Sequence, residues 1–268
     1  MSPSPERGRQ ERAFGVAAGL DPAIATPLAA RCEALGYSSI WSNDHPAAEG
    51  LETLAAFAEG SASLELGVAV IALDRQGPAE INAKIDQLGL ERDRLWIGVG
   101  AGFSAKPLTT MRGALPELRE AIPGVRLVLA AMGPRMCALA GSDFDGAFFN
   151  WMLPEFAAEA RGQVEAGARD AGREAPPVLG YVRTAVGEDA AERLAKEESF
   201  YRDLHDGYRN HFARLGAPPG TVGVAAADRQ SADAELRRYE ALDVVVVRGL
   251  ASATLEAMSA LAEAAAPA

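Results

Sequence analysis

The feature that most constrains this 268-residue chain is a repeated alternation between short β-rich runs and amphipathic helical stretches. Each helical stretch returns the chain to the start of the next strand, so neighbouring strands must run parallel. Eight such units predict a closed (β/α)8 TIM barrel, and an open doubly wound sheet is the alternative. The predicted strands cover residues 13–19, 38–43, 64–72, 94–100, 125–131, 146–152, 177–186 and 242–249.

Proline begins several of the predicted helices, because its missing N–H suits a first helical turn. The predicted helices cover 22–35, 50–60, 78–90 and 107–121, segments that begin at Pro134 and Pro154, and 252–265. The seventh strand is followed by a longer connection, in which Phe200, Leu204, Tyr208 and Phe212 recur every four residues and predict a core-facing helical stripe. We expect a disordered tail over residues 1–12 and a single barrel domain over residues 13–268.

Composition excludes several classes of function. A net charge of −11 argues against a general nucleic-acid binder, which needs a basic face for the phosphates, and against an anionic membrane surface. The sequence contains no apolar run of about 18 residues that could span a membrane, and its first residues lack the apolar core of a signal peptide. Cys32 and Cys137 are expected to be reduced and buried, without metal-ligand spacing. The chain is therefore predicted to be cytoplasmic.

In a barrel of this type the loops after the strands form the active-site rim. Asn43, Asp44 and His45 follow the second strand and so fall on that rim. A histidine beside a carboxylate can exchange a proton near neutral pH, which makes the pair a candidate for acid–base catalysis. The alternative is a helix cap with a salt-bridged surface histidine, and the rim position favours the catalytic interpretation.

Two further segments on the same rim could bind a ligand. The run "GVGAG" (98–102) has no Cβ at three alternate positions, so a flat ring or a phosphate could approach the backbone, although a tight turn explains it as well. In "AAMGPRM" (130–136) a helix begins at Gly133-Pro134, and Arg135 adds a cation, which favours an anion site. A plain helix start with a solvated arginine is the alternative.

The remaining polar residues give weaker indications. His205 and His211 lie off the predicted stripe and are expected in solvent or a pocket wall rather than in catalysis. Arg183 and Arg248 are expected to form ordinary ion pairs, although both end strands and could reach the rim. Signatures of unaided nucleophilic or metal catalysis do not occur, so the sequence favours chemistry carried out by a cofactor.

Three segments resemble the bacterial luciferase-like superfamily. They are "AARCEALGYSSIWSNDH" (29–45), "LELGVAV" with "DRQGPAEINAKIDQLGLERDRLWIGVGAG" (64–102), and "LVLAAMGPRMCALAGSDFDGAFFNW" (127–151). The resemblance covers about residues 13–250 with its motifs in order. It implies a barrel oxidoreductase that uses coenzyme F420 (a deazaflavin) or reduced FMN to transfer a hydride to, or to oxygenate, a small organic substrate. The superfamily also tends to form dimers, which implies a homodimer.

The resemblance also implies residue roles. Asp44 and His45 match the acid–histidine pair beside the cofactor ring, where Asp44 would fix the tautomer of His45. Asp86 matches an acid of the third helix with a structural role. The residues matched to cofactor binding are Asn43, Ala69-Val70 (the position of a non-prolyl cis peptide), Gly100-Ala101-Gly102, and Met132-Gly133-Pro134-Arg135. Phe103 and Trp151 are assigned to the substrate side.

Two departures from the family pattern leave alternatives open. Phe103 stands where some deazaflavin sugar dehydrogenases carry a catalytic glutamate, which argues against sugar oxidation. The short stretch between Gly102 and Val125 implies an open pocket or one completed by a partner subunit. A flavin-binding carrier barrel that has lost the chemistry is therefore the second hypothesis, and a cofactor-free isomerase or lyase is the third.

Overall fold

The structure, a computed structural model, describes residues 10–267. The strands in this part of the chain are β1 (Glu11–Val16), β2 (Ser39–Ser42), β3 (Glu65–Ala72), β4 (Leu95–Gly100), β5 (Arg126–Ala130), β6 (Gly146–Asn150), β7 (Val178–Val186), β8 (Val224–Ala226) and β9 (Val244–Gly249). The helices are α1 (Pro22–Ala34), α2 (Gly50–Gly60), α3 (Pro78–Gln87), α4 (Pro107–Ala121), α5 (Pro134–Asp143), α6 (Pro154–Asp170), α7 (Ala190–Leu204), α8 (Asp206–Leu215), α9 (Arg229–Arg237) and α10 (Leu255–Ala264).

Eight of these strands close into a barrel, which confirms the predicted fold. All pairings are parallel and run in order from β1 to β7, after which β7 pairs with β9 and β9 pairs with β1. Closure gives each of these eight strands a partner on both sides, so the barrel has no edge strand of the kind that an open sheet has. The open-sheet alternative is excluded.

The long connection between β7 and β9 contains an additional strand that the sequence pattern did not predict. β8 pairs only with the last residues of β7 among the described strands, at Thr184 to Val186. Thr184 also pairs with Gly249 of β9 on the other side, so β8 lies on the side of β7 that β6 occupies further down. The strand therefore extends the wall of the barrel above β6, at the rim.

The predicted core-facing stripe in this connection is wrong for its first half. The chain breaks between α7 and α8 at His205, whose Nδ1 accepts the backbone N–H of Gly207 and caps α8. Because the break changes the helix direction, the four aromatic and aliphatic residues do not share one face. Phe212 is buried, but Phe200 and Leu204 are 61% and 49% exposed.

The predicted start of the domain also needs correction. Residues 1–9 of the expected tail lie outside the described residues, and Glu11 and Arg12 already belong to β1. Arg12 is buried, and its guanidinium donates to Asp233 and to the carbonyls of Ala265 and Ala266. Within the described residues no helix is both long enough and apolar enough to cross a membrane.

Strand side chains alternate between the barrel interior and the surrounding helices. Val182 and Val247 belong to the large cluster between sheet and helices, whereas Tyr181 and Val246 belong to a smaller interior cluster with Trp41. By this alternation the strands' C-terminal ends present one inward layer, which we term the mouth layer. It consists of Val70, Gly100, Ala130, Asn150, Arg183 and Arg248.

Candidate functional site

One side of the mouth layer is a wall of small residues built around β3 and β4. The peptide bond between Ala69 and Val70 is cis, as the family resemblance implied, and the register of β3 against β4 shifts between Val68 and Ile71. Two residues of β3 therefore lie opposite Gly98 alone. A Cβ on Gly98 would approach the Val68 carbonyl oxygen to 2.7 Å, so only glycine fits beside the bulge.

Gly100 and Ala130 extend this wall onto β4 and β5. A Cβ on Gly100 would lie 3.3 Å from Val70 and 3.6 Å from Ala130, so the three residues line one continuous surface. The surface carries no side chain larger than valine. It suits the face of a planar ring, which a larger side chain at Gly100 would displace.

The loop after β4 is fixed by Asp74 of the loop after β3. The Asp74 carboxylate accepts the backbone N–H of Phe103 at 2.9 Å, and a Cβ on Gly102 would overlap that carboxylate. Gly102 also has a φ of +57°, a conformation that favours glycine. Ala101 is buried in the outer core, whereas Phe103 is 84% exposed and contacts the ring of His205 edge-on at 5.7 Å. The second half of "GVGAG" is therefore a fixed turn that presents Phe103 at the rim.

The geometry of Asp44 and His45 corrects the predicted link between them. Asp44 accepts the backbone N–H of Gly50, at the start of α2, at 2.8 Å and forms an ion pair with Arg75. His45 Nδ1 instead accepts the backbone N–H of Ala47 at 3.2 Å, so the neutral ring carries its proton on Nε2. Within the described residues the backbone of Ala47, and not Asp44, sets the tautomer.

Asn43 connects this loop to the neighbouring one. Its Oδ1 accepts the backbone N–H of Ala18, which follows β1, at 2.8 Å. The amide therefore fixes two rim loops relative to each other, with its oxygen already engaged. Only its Nδ2 would be left to donate to a ligand.

The predicted anion site at the start of α5 contains a cation that the sequence did not indicate. Gly133 is the N-cap of α5, and a Cβ placed on it would meet no atom within 4 Å. Arg135 is exposed, whereas Arg214 of α8 reaches back to donate to the carbonyl of Met132 and to His211 Nδ1. Together with Pro134, Arg214 lines a cavity of about 190 Å³ beside Met132 and Gly133. Residues 82 positions apart meet here, which no local sequence signal reveals.

His211 and Trp151 form a buried contact that the sequence did not predict. His211 was expected in solvent or in a pocket wall, and Trp151 on the substrate side. His211 is 2% exposed rather than solvent-facing, and its Nε2 lies 2.7 Å from the Trp151 carbonyl oxygen. Burial is the largest cause of its lowered pKa. Trp151 is also buried, with a φ of +54°, a conformation uncommon for a residue other than glycine.

The side of the mouth layer opposite the small-residue wall is cationic, and the expected ion pairs are not there. Arg183 and Arg248 face each other in register on β7 and β9, and neither forms a salt bridge within residues 10–267. Arg183 donates to the Asn150 side chain and stacks over Trp151 at 4.3 Å, and Arg248 donates to the Gly249 carbonyl. Burial, together with the charge of Arg183, lowers the pKa of Arg248.

Other predicted groups lie away from the mouth layer. Asp86 is exposed on α3 and pairs with Arg92, which agrees with the structural role assigned to it. Among the described residues no cluster of histidine, cysteine or acidic side chains has the geometry to hold a metal ion.

The fold and the mouth layer define a TIM-barrel protein with one flat apolar wall and one cationic wall. A family model described as luciferase-like monooxygenase matches residues 114–264, more than half of the chain. The chain belongs to this family.

A related sequence and several solved structures agree with this assignment. The 5,10-methylenetetrahydromethanopterin reductase of Methanolobus tindarius is 26% identical over 197 residues, and the matched segment spans 60% of this chain and 60% of that protein. The structure of the coenzyme F420-dependent tetrahydromethanopterin reductase from Methanopyrus kandleri superposes with a TM-score of 0.73 at 16% identity, covering 96% of this chain and 97% of that one. The FMN complex of the oxygenating constituent of 3,6-diketocamphane monooxygenase from Pseudomonas putida gives 0.68 at 13% identity, covering 96% and 98%. At these identities the superpositions establish the fold.

Proposed function

We propose that this chain is an oxidoreductase that binds coenzyme F420 and transfers a hydride between it and a small organic substrate. FMN-dependent monooxygenation is the second candidate, because solved structures of the same fold include both F420- and FMN-dependent enzymes. The observation that carries the proposal is the small-residue wall of Val70, Gly100 and Ala130, which faces the barrel mouth beside the cis peptide. When bound, the coenzyme supplies the hydride-transfer chemistry that the side chains of this chain do not provide.

The wall fits a tricyclic ring in shape and in polarity. A planar ring laid against Val70 and Gly100 would meet apolar atoms and exposed backbone rather than charged side chains. The opposite wall of the mouth layer, with Asn150 and Arg183, leaves polar groups for the other face of the ring or for a substrate above it. The interior aromatic cluster around Trp41 closes the barrel beneath the mouth layer.

His45 is proposed to hold or donate a proton at Nε2. Its Nδ1 is engaged by Ala47 N–H, so Nε2 is the nitrogen left for a substrate or cofactor atom. Asp44 would act as a positioning residue, because its contacts to Gly50 and Arg75 fix the start of α2 and the loop after β3. Asn43 would donate through its Nδ2.

The cofactor phosphate is proposed to bind at the start of α5. Free N–H groups of a helix N-terminus attract anions, and Gly133 leaves that end of α5 open. Arg135 adds a solvent-exposed cation at the start of α5. Arg214 adds a second cation in the neighbouring cavity beside Met132 and Gly133, which Glu159 also lines. This site lies after β5, next to the proposed ring-binding wall on β3 to β5.

Fluorescence titrations with coenzyme F420, FMN and riboflavin test this assignment. We expect saturable binding of F420 or FMN, weaker binding of riboflavin because it lacks a phosphate, and loss of binding in Gly100→Val, whose side chain fills the wall. Arg135→Ala should weaken the binding of phosphate-bearing ligands. The matched control is Arg169→Ala, which removes an exposed arginine in the last turn of α6, at the end of that helix remote from the rim. Binding of none of the three ligands would exclude both redox functions.

Turnover separates the enzyme from the carrier barrel considered above. A hydride-transfer enzyme bleaches the F420 absorbance when a reducing substrate is added, and a monooxygenase consumes oxygen with reduced FMN. Tight cofactor binding without either signal across a panel of alcohols, aldehydes and imines would support the carrier.

We further propose that the chain acts as a cytoplasmic homodimer. The family resemblance supports the dimer, and two unpaired, buried cysteines agree with a reducing compartment. Light scattering on the purified protein should give twice the chain mass of 28.1 kDa. A mass of 28.1 kDa at all concentrations would exclude the dimer.

A further inference from the structure

Arg183 and Arg248 are buried cations that lack a carboxylate partner. They are 3% and 7% exposed, and neither forms a salt bridge within the described residues. Other buried charges in this fold are paired, as Arg12 is with Asp233 and Glu198 is with Arg202. A buried unpaired charge is costly, so two such charges side by side require a reason other than folding.

The hydrogen bonds of Arg183 leave donors unused. Its Nη1 donates to the neutral side chain of Asn150, and its Nε is fully buried without an acceptor among the described residues. The guanidinium carbon packs against two aromatic rings, 4.3 Å from the ring centroid of Trp151 and 5.0 Å from that of Tyr201. These contacts fix the orientation of the group without neutralising its charge.

Arg248 opens onto a cavity that carries more positive than negative charge. The cavity has a volume of about 680 Å³ between the ends of β1 and β9 and the helix α7. Lys196 and Arg193 also line it, although Arg193 is paired with Asp189, and Glu197 is the acidic residue among its lining positions. Glu197 forms no ion pair with Arg248 among the described residues, so its charge does not replace a counter-ion. The cavity is large enough for a small organic acid. Arg183 does not line it, but lies directly beside Arg248 in the register of β7 and β9.

We propose that Arg183 and Arg248 together bind the oxyanion of the substrate, a carboxylate or sulfonate group. The proposal rests on the proposed function in taking this ligand as the substrate. Guanidinium groups match planar or tetrahedral oxyanions through paired N–H donors, and the two arginines are adjacent in register on β7 and β9. They lie across the mouth layer from the apolar wall on β3 to β5, so an anion held there would direct the rest of the molecule toward that wall.

Calorimetric titration of the purified chain with methanesulfonate and with acetate tests the site directly, at low ionic strength and without cofactor. We expect saturable binding of at least one probe. Arg183→Met or Arg248→Met should weaken it about 10- to 100-fold, the range for a charge-assisted hydrogen bond to a buried ion. Arg169→Met removes one exposed charge in the last turn of α6, at the far end of the barrel, and should leave the affinity unchanged. Absence of saturable binding, or equal affinity in all variants, overturns the proposal.

A stability measurement separates binding from a structural role. Because Arg248 is a buried charge beside another cation, Arg248→Met should leave the Tm of the free protein unchanged or raise it, and sulfonate should raise the Tm of the wild type only. A lower Tm in Arg248→Met, with no ligand-dependent shift in the wild type, would show that the arginine serves folding.

A third measurement distinguishes the substrate from the cofactor phosphate. FMN and riboflavin are titrated into the same two arginine variants. If the variants lose affinity for FMN but not for riboflavin, the arginines bind the cofactor phosphate and the substrate assignment is wrong. If the wild type binds no flavin and no F420 but still binds methanesulfonate, the proposed function fails while the oxyanion site stands.

Discussion

His211 donates its Nε2 hydrogen to the carbonyl oxygen of Trp151 at 2.7 Å, and this contact joins α8 to the end of β6. Arg214 of the same helix donates to the other ring nitrogen and to the carbonyl oxygen of Met132. Helix α8 therefore contacts the loops that follow both β5 and β6. The neutral imidazole is the form that fits, because it donates at Nε2 and accepts at Nδ1.

This contact predicts a loss of stability in mild acid. Burial lowers the pKa of His211 below its ordinary value of 6.5, so the unfolded chain binds more protons than the folded one in that range. The contribution to stability is complete above pH 6.5 and is lost as the pH falls toward the folded pKa. Urea unfolding at several pH values should show this slope. His211→Gln, which keeps a donor near the Trp151 carbonyl, should flatten it, and an unchanged slope would assign the effect to other groups.

Gly102 should tolerate alanine less well than other glycines of similar backbone conformation. Its φ is +57°, and a Cβ would overlap the Asp74 carboxylate. Gly172 has a φ of +68° with open space around it, so Gly172→Ala measures the backbone cost alone, about 1 kcal/mol. Gly102→Ala should cost more, and in an Asp74→Gly background, where the overlapping carboxylate is absent, this extra cost of Gly102→Ala should disappear. Equal free energies of unfolding for the two single variants would contradict the contact.

Asp44 should act through structure rather than through the imidazole. In Asp44→Asn the acceptor for the Gly50 N–H is retained and only the pairing with Arg75 is lost, whereas Asp44→Ala removes both contacts. We expect Asp44→Ala to lower the free energy of unfolding by about 2 kcal/mol. Asp44→Asn should lower it by less, because only the alanine variant also leaves the Gly50 N–H without its side-chain acceptor.

The same residue makes a kinetic prediction. Because His45 Nδ1 accepts Ala47 N–H and does not contact Asp44, the pH profile of turnover should be the same in Asp44→Asn and in the wild type. His45→Gln should abolish the limb of the profile that reports the imidazole. A shifted pH profile in Asp44→Asn would instead support the original prediction that Asp44 acts on His45.

The two cysteines should be unreactive until the protein unfolds. Burial raises the pKa of both Cys32 and Cys137 to about 12, so the thiolate is scarce at pH 8 in addition to being inaccessible. A chromogenic disulfide reagent should titrate no thiols in the native protein and two in guanidinium chloride. Rapid reaction of one thiol in the native state would show that the helix carrying it opens locally.

Much of the fold was predictable because it depends on local and periodic signals. Regular spacing of β-rich and amphipathic runs is sufficient for a closed parallel barrel, since parallel strands require crossovers and eight crossovers complete a ring. The helix beginning at Gly50 matched its predicted bounds, and the motif "GPRM" predicted the start of α5 at Pro134. The position of the candidate site residues on the rim was also predictable, because it requires only that they follow a strand of a parallel barrel.

The strand β8 and the break at His205 were missed because neither produces a local pattern that is long or distinct enough to detect. Three residues of strand, Val224 to Ala226, give too short a pattern to detect, and they exist because the end of β7 extends beyond β6 and offers a free edge. The four-residue recurrence from Phe200 to Phe212 was genuine, but only packing decides whether a helix continues through it.

The sequence by itself determined the barrel, its rim and the candidate residues on that rim, because strand order and hydrophobic periodicity depend on residues that are close together in the sequence. Tertiary structure alone decided which side chains meet: Asp44 with Arg75 instead of His45, Arg214 at the start of α5, and Arg183 beside Arg248 without a carboxylate. The physical reason is that charges and hydrogen bonds are satisfied across the closed barrel, between residues tens of positions apart. Ion pairing, burial and tautomer therefore depend on closure, which no local pattern specifies.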